Sequence, residues 1–397
     1  MIFEILALLL GTLAGTITGL TPGIHINLIS VLIISSAFLS SINPIFLAIF
    51  VIAMAITHTF LDFIPSIFLG SPDEDTGLSI LPGHEFLLKG KGHEAIIHTL
   101  YGSAIAILII LILSPLFLYI LPKIELYLTA VMFFIIIGAS IFLLINEKQD
   151  KLLAIIIFLL AGFLGLSALN LPLHQPLLPL LTGLFGGSSL ITSIIKKKKI
   201  PEQKISKLKN IKLNKKQFGK ISLAAIISAP LCSFLPSLGS NQAAVIGTEV
   251  TGEIDRKEFL ALLGAINTIV IGLSFITLLA INKTRTGAAV AISKLPAAIP
   301  VSTILITIFI SGTIAFFLTI PLSKFFARKI SKLNYRFLSI IIFLFLSIIS
   351  TIFSGWLGLL IFLIATSLGF FTISKGIRRT HLMGCLMLPT IIFYLSF

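Results

Sequence analysis

Apolar residues in this chain fall in continuous runs of about 20, the length a helix needs to cross the hydrocarbon of a bilayer. The first run is Ile2 to Leu20, and others occupy residues 96–120, 127–146, 152–169, 176–195 and 301–322. A membrane barrel would instead show segments of about 10 residues with strict alternation. The pattern predicts an all-α, polytopic helical membrane protein. Polar or proline-bearing stretches at residues 21–27, 70–77, 235–241 and 281–287 interrupt it and predict broken or re-entrant half-helices. The first run has neither a basic leader nor a small-residue cleavage site, so it is expected to stay as a first helix.

Composition agrees with this picture. Of 397 residues, 57% are hydrophobic and only 11% charged, against about 25% charged in soluble domains. Soluble enzymes, disordered chains and disulfide-stapled secreted domains are excluded. Charge adds sidedness. The net charge is +14, and residues 196–220, with eleven lysines and the single acid Glu202, carry +10 of it. Between hydrophobic runs such a loop is expected to be cytoplasmic. This predicts a multi-pass protein of the cell membrane whose basic loop faces the lipid bilayer surface, with no nucleic acid as partner. Cys232 and Cys385 have no metal-type spacing. No P-loop, G-x-S-x-G or dinucleotide fingerprint occurs, and His84, Glu85, His93, Glu94 and His98 do not match H-E-x-x-H. No cofactor, metal or catalytic residue is therefore expected.

The basic loop divides the chain evenly, and the two parts resemble each other. Gly11, Gly15 and Gly19 align with Ala225, Ala229 and Ser233 at an offset of 214, followed by Pro22 with Pro236 and Asn27 with Asn241. Ala55, Ile56 and Thr57 align with Ala265, Ile266 and Asn267 at an offset of 210, and Thr76-Gly77 with Thr286-Gly287 at the same offset. The expected organisation is a membrane repeat at 1–195, a basic linker at 196–217 and a second repeat at 218–397. Aligned loops change sign. Residues 146–151 carry lysines while the turn at 354–356 is uncharged; residues 170–175 carry no lysine while 375–379 hold Lys375, Arg378 and Arg379. Inverted-topology repeats predict this alternation, and they place a transport site at their interface near the midplane.

Candidate chemistry sits at the interruptions. Pro22, Gly23, His25 and Asn27 face Pro236, Ser237, Gly239, Ser240 and Asn241 in the alignment. A helix restarting after such a break presents free N–H groups and a positive dipole end, which suit a carboxylate or a phosphate; a plain proline kink is the alternative. The second pair of interruptions has opposite charges, with Asp73, Glu74 and Asp75 against Lys283 and Arg285. The bases are candidates for an anionic substrate and the acids for a coupling cation or proton. A mutual gate and ordinary aqueous loops are the alternatives. His58 and Asp62 lie four residues apart inside an apolar segment, so they share a helix face. Asp62 is read as a proton relay or cation ligand, or as half of a packing pair with His58.

At these residues the chain resembles the TctA family, the large permease subunit of tripartite tricarboxylate transporters. The family's Gly-rich helix ending in Pro-Gly is similar to residues 11–27. Its following break, turn and Lys-Gly-rich stretch resemble residues 63–94, with Ser71-Pro72, Leu81-Pro82-Gly83 and Lys89-Gly90-Lys91-Gly92. Its Leu-Phe-Gly segment resembles residues 181–189, its second break 235–242, and its Asn-bearing helix 264–268. The chain carries Asp73, Glu74 and Asp75, and Lys283 and Arg285, where the family carries neutral Pro-Gly-type breaks. The resemblance implies a small membrane subunit and an extracytoplasmic binding protein as partners.

Together these readings predict a secondary transporter for a small organic anion such as a di- or tricarboxylate, in symport with H⁺ or Na⁺. Asn267, with the four Pro and Asn positions of the first breaks, belongs to the expected substrate site. The halves would rock in alternating access, with a homo-oligomer as one form of assembly. A translocase for a lipid-linked phosphate such as a polyprenyl phosphate is the alternative, and a membrane-embedded hydrolase using His58 and Asp62 ranks below both.

Overall fold

The computed structural model describes residues 2–21, 43–70, 76–145, 147, 149–173, 175–195, 200–234, 240–252, 254–284, 286–331 and 334–395. Among them there are helices and connecting turns and no strand. In the first half these are α1 (Ile2–Leu20), α2 (Pro44–Leu61), α3 (Phe63–Leu69), α4 (Ile80–Leu88), α5 (Gly92–Ile145) and α6 (Lys151–Asn170). There follow α7 (Leu177–Leu181), a π-helical stretch at Thr182–Gly187, and α8 (Ser188–Ile195). The second half contains α9 (Lys215–Phe234), α10 (Ser240–Thr251), α11 (Arg256–Ile281), α12 (Gly287–Ser293), α13 (Val301–Ile330), α14 (Tyr335–Ser374) and α15 (Gly384–Leu395). Eight helical segments among the described residues are long and apolar enough to cross a membrane.

Two expected turns meet different fates. At residues 354–356 the turn is present: Gly355 adopts φ 65°, a left-handed conformation that interrupts α14. At residues 121–126 there is no turn. Helical hydrogen bonding continues through Pro115 and Pro122 from Gly92 to Ile145. A proline costs one hydrogen bond in a membrane helix without ending it, and no glycine or asparagine lies at 121–126 to cap it.

Burial separates two kinds of span. Every residue of α11 from Leu260 to Leu278 is buried, and so is α2 from Leu47 to Leu61 except for half-buried Phe50. A helix that is apolar all round belongs in the interior. By contrast α1, α6 and α14 leave Leu9, Leu13, Phe163, Leu344 and Trp356 exposed, as lipid-facing helices do.

The chain halves interlock. In a front body, α11 of the second half packs along α5 of the first, and α2 of the first half packs on α13 of the second. The α5–α11 crossing is backbone-close: a Cβ at Gly102 would collide with the Ala261 carbonyl, and one at Gly264 with the Thr99 carbonyl. Ser103 Oγ donates to the Gly264 carbonyl at 3.1 Å across it. In lipid, small residues allow this approach and dispersion contacts reward it. A rear body repeats the exchange. There α15 of the second half packs on α6, and α14 packs on α7, the π stretch and α8. The bodies meet where Leu69 packs on the cluster of Leu190, Ile342, Leu346 and Phe362.

Candidate functional site

Local chemistry bends the chain at Asp62, between α2 and α3. Pro65 has no N–H, so the Leu61 carbonyl loses its helical donor. The Asp62 carbonyl receives both the Ser66 N–H, at 3.4 Å, and the Ser66 hydroxyl, at 2.9 Å. The carboxylate thus sits at a weak point of an otherwise continuous, buried helix.

That weak point lies where the two fully buried spans cross. Asn267 Nδ2 of α11 donates to Asp62 Oδ2 at 2.7 Å, with Asp62 3% and Asn267 1% exposed. One turn away, Thr59 and Thr268 pair through their hydroxyls at 3.1 Å. Thr59 spends its proton on the Ile56 carbonyl, so Thr268 is the donor in that pair. On the other side, His58 Nδ1 lies 3.1 Å from Thr18 Oγ1 of α1. Thr18 donates to the Gly15 carbonyl, which leaves Nδ1–H of His58 as the donor to Thr18. The expected His58 and Asp62 thus hold separate partners on α1 and α11.

The polar line continues into the interrupted segments. Gly70 ends α3 with φ 68°, and Asn282 ends α11 with φ 53°. Beyond each end a threonine reaches back to the preceding helix. Ser66 and Thr76 pair at 2.6 Å in the first half, and Ser274 and Thr286 at 2.9 Å in the second. Thr286 also caps α12, accepting the Ala289 N–H at 3.1 Å. Between the halves, the Leu78 N–H donates to Asn241 Oδ1 at 3.3 Å, at the start of α10. Ser240 beside it is buried.

The remaining expected site residues divide in two. Lys283 is half exposed and ion-paired with Glu125, at the far end of α11 from Arg256. The 26 residues of α11 span about 39 Å, and Asn267 lies near its middle. Lys283 therefore stands apart from the Asp62–Asn267 pair. Pro22, Gly23, His25, Asn27, Asp73, Glu74, Asp75, Pro236, Ser237, Gly239 and Arg285 lie outside the described residues.

A second polar crossing, in the rear body, was not anticipated. Arg379 counts in the sequence as one of three loop bases, yet it is 7% exposed. Its guanidinium donates to the Phe185 carbonyl, to Ser189 Oγ at 2.9 Å and to Ser188 Oγ at 3.2 Å. Its plane lies 5.3 Å from the Phe185 ring centroid. The π-helical stretch Thr182–Gly187 redirects the carbonyls that receive it. Nearby, Glu147 Oε2 and His381 Nε2 meet at 2.8 Å, both fully buried. Charge between apolar runs was the available signal, masked by neighbouring Lys375 and Arg378. In the first-half cluster of histidines and glutamates, His93 Nδ1 lies 2.9 Å from Ser323 Oγ and Glu85 pairs with Arg256.

Contacts also sort the loops by charge. Gln203 accepts the Gly92 N–H at 2.8 Å, which ties the lysine-rich linker to the Lys89 and Lys91 turn. Glu147 and His381 join the lysine-bearing 146–151 loop, whose two lysines are balanced by Glu147 and Asp150, to the turn that follows the basic 375–379 loop. The two uncharged turns meet each other, with Ser354 Oγ donating to the Gln175 carbonyl at 2.9 Å.

Chemically, the front crossing holds a buried carboxylate against an amide, with a threonine pair and a histidine–threonine pair on the neighbouring turns. Such a group is costly in lipid and is found where protons or ions are handled. An uncharacterized protein of Methanocaldococcus jannaschii is 32% identical over 403 residues, covering 99% of both chains. No solved structure matches the chain. The family model described as tripartite tricarboxylate transporter TctA matches residues 5–384, so this multi-pass helical protein belongs to that transporter family.

Proposed function

We propose that the protein is a secondary transporter of a small organic anion, a di- or tricarboxylate, driven by symport of H⁺ or Na⁺ through Asp62. The observation that carries this is the buried Asp62–Asn267 hydrogen bond. It joins the α2–α3 bend of the first half to the middle of α11 in the second. The broken segments around Pro22 and Pro236, with Asn27, Ser240 and Asn241, complete the substrate site in this reading. The paired Ser66–Thr76 and Ser274–Thr286 bonds, and the meeting of the two uncharged turns, support an inverted repeat. The basic face is cytoplasmic by the positive-inside rule. Family membership points to a small membrane subunit and an extracytoplasmic binding protein as partners.

Interlocking alters the expected motion. Rocking one half against the other would tear the backbone-close α5–α11 and α6–α15 crossings. The motion we favour displaces the front body against the rear body, each built from both halves.

The test is thermal stabilisation of the purified protein by di- and tricarboxylates, with and without Na⁺, followed by uptake in proteoliposomes. A ligand at about 100 times its Kd adds roughly 2.7 kcal/mol if it binds the folded state alone. Carboxylate stabilisation, with gradient-driven uptake abolished by Asp62→Asn, supports the proposal. Stabilisation by polyprenyl phosphates and by no carboxylate overturns it in favour of a lipid-phosphate translocase.

A further inference from the structure

The linker between the halves is a fixed strap with two faces. Gln203 holds it at one end, accepting the Gly92 N–H and donating to the Leu87 carbonyl at 3.0 Å, while the Lys204 N–H donates to the Gly90 carbonyl at 2.7 Å. Further along, the Tyr101 hydroxyl reaches the Ile211 carbonyl at 3.0 Å. Ile200 and Ile211 are buried in the protein, with Ile205, Leu208 and Leu213 packed beside them. Lys204, Lys207, Lys209, Lys212, Lys215 and Lys216 all point outward and are exposed. None of these six has a carboxylate partner among the described residues.

The strap also has a defined depth. The apolar segment Gly92–Tyr127 has 36 residues, about 54 Å of helix, against about 30 Å of hydrocarbon. The strap is tied to the Lys89–Gly92 turn at the start of this segment, and by the positive-inside rule a lysine-bearing helix end belongs at the head-group layer. A row of lysines without internal partners, clamped at that level, meets the phosphates of lipid before any soluble molecule.

We propose that the outer face of the 200–216 strap binds the head groups of anionic phospholipids in the adjoining leaflet. Rigid clamping distinguishes it from a loose polybasic tail, because the lysines lose little freedom when the lipid engages. The proposal does not depend on the transported substrate.

The full chain is reconstituted into nanodiscs of phosphatidylcholine alone or mixed with phosphatidylglycerol, and trypsin cleavage after the six lysines is followed by mass spectrometry. Phosphatidylglycerol should slow cleavage several-fold, and high salt should remove that protection, since exposed charges are screened. Thermal midpoints provide a second readout. Phosphatidylglycerol should raise the midpoint of the wild-type protein and leave unchanged that of a variant with all six lysines replaced by glutamine. Equal cleavage in both nanodiscs, or an equal rise in both proteins, overturns the proposal. Protection by soluble heparin without protection by phosphatidylglycerol also overturns it and points to an acidic soluble partner.

Discussion

The front and rear bodies solve one problem with different chemistry. Each must join helices from the two halves, and each buries ionisable groups where they cross. In the front body a carboxylate meets an amide at mid-span, Asp62 with Asn267. In the rear body a guanidinium is enclosed by π-helix carbonyls and serine hydroxyls, Arg379 with Phe185, Ser188 and Ser189. Both terminal nitrogens of Arg379 have acceptors on the other half and the guanidinium has a ring to lie on, so it fastens the rear helices. Asp62 sits at a point weakened by Pro65 and is bonded to an amide of the other half, so a proton or ion gained or lost there would be felt by both halves. Under the proposed function, the difference is that between a fastening and a working site.

Breaking the shared frame should have the largest effect. Gly102→Leu forces α5 and α11 apart at backbone contact. We expect loss of folded, monodisperse protein in size-exclusion chromatography; survival at wild-type yield would refute the close crossing.

Asp62→Asn sharpens the comparison directly. The carboxamide oxygen can still accept from Asn267, so the melting temperature should move little. Transport should fall by more than about tenfold, the consequence of a lost interaction above 1.4 kcal/mol. A parallel loss of folding would instead assign Asp62 to the frame.

Arg379→Met should give the opposite profile. Removing charge-assisted hydrogen bonds and leaving buried carbonyls bare costs about 3 kcal/mol. Chemical denaturation in mild detergent would measure it, while the residual folded fraction should retain ligand affinity. Glu147→Gln removes the charge and one of the two acceptor oxygens, which take His381 Nε2 and the Gln149 N–H. A loss of about 1 kcal/mol is expected in the same assay. The smallest effect belongs to the strap: Gln203→Ala should cost about 1 kcal/mol or less and accelerate trypsin cleavage at Lys204 and Lys207.

Much of the front body is legible in the sequence. The alignment of Ala55, Ile56 and Thr57 with Ala265, Ile266 and Asn267 marked the two spans that the structure buries completely and crosses. Asp62 stood out because charge in an apolar run is expensive. Less was legible in the rear body. Arg379 lies among loop bases, and burial of a loop residue depends on which helices it meets, here the Thr182–Gly187 π stretch and α8 from the other half. Lys283 shows the reverse case: a cation between apolar segments that ends half exposed beside Glu125. The continuous helix through 121–126 differs from the expected spans 96–120 and 127–146, because the charged Lys123 and Glu125 divide the apolar run without a cap residue to end the helix.

Run length and charge imbalance determined a helical membrane protein with one basic face, because lipid admits few alternatives for backbone and charge. These properties depend on residues near in sequence. Which helix lies against which was decided only in three dimensions. Small residues permit a close crossing without naming the partner, and the interlocked halves, the Asp62–Asn267 pair and the burial of Arg379 all depend on contacts about 160 to 205 residues apart.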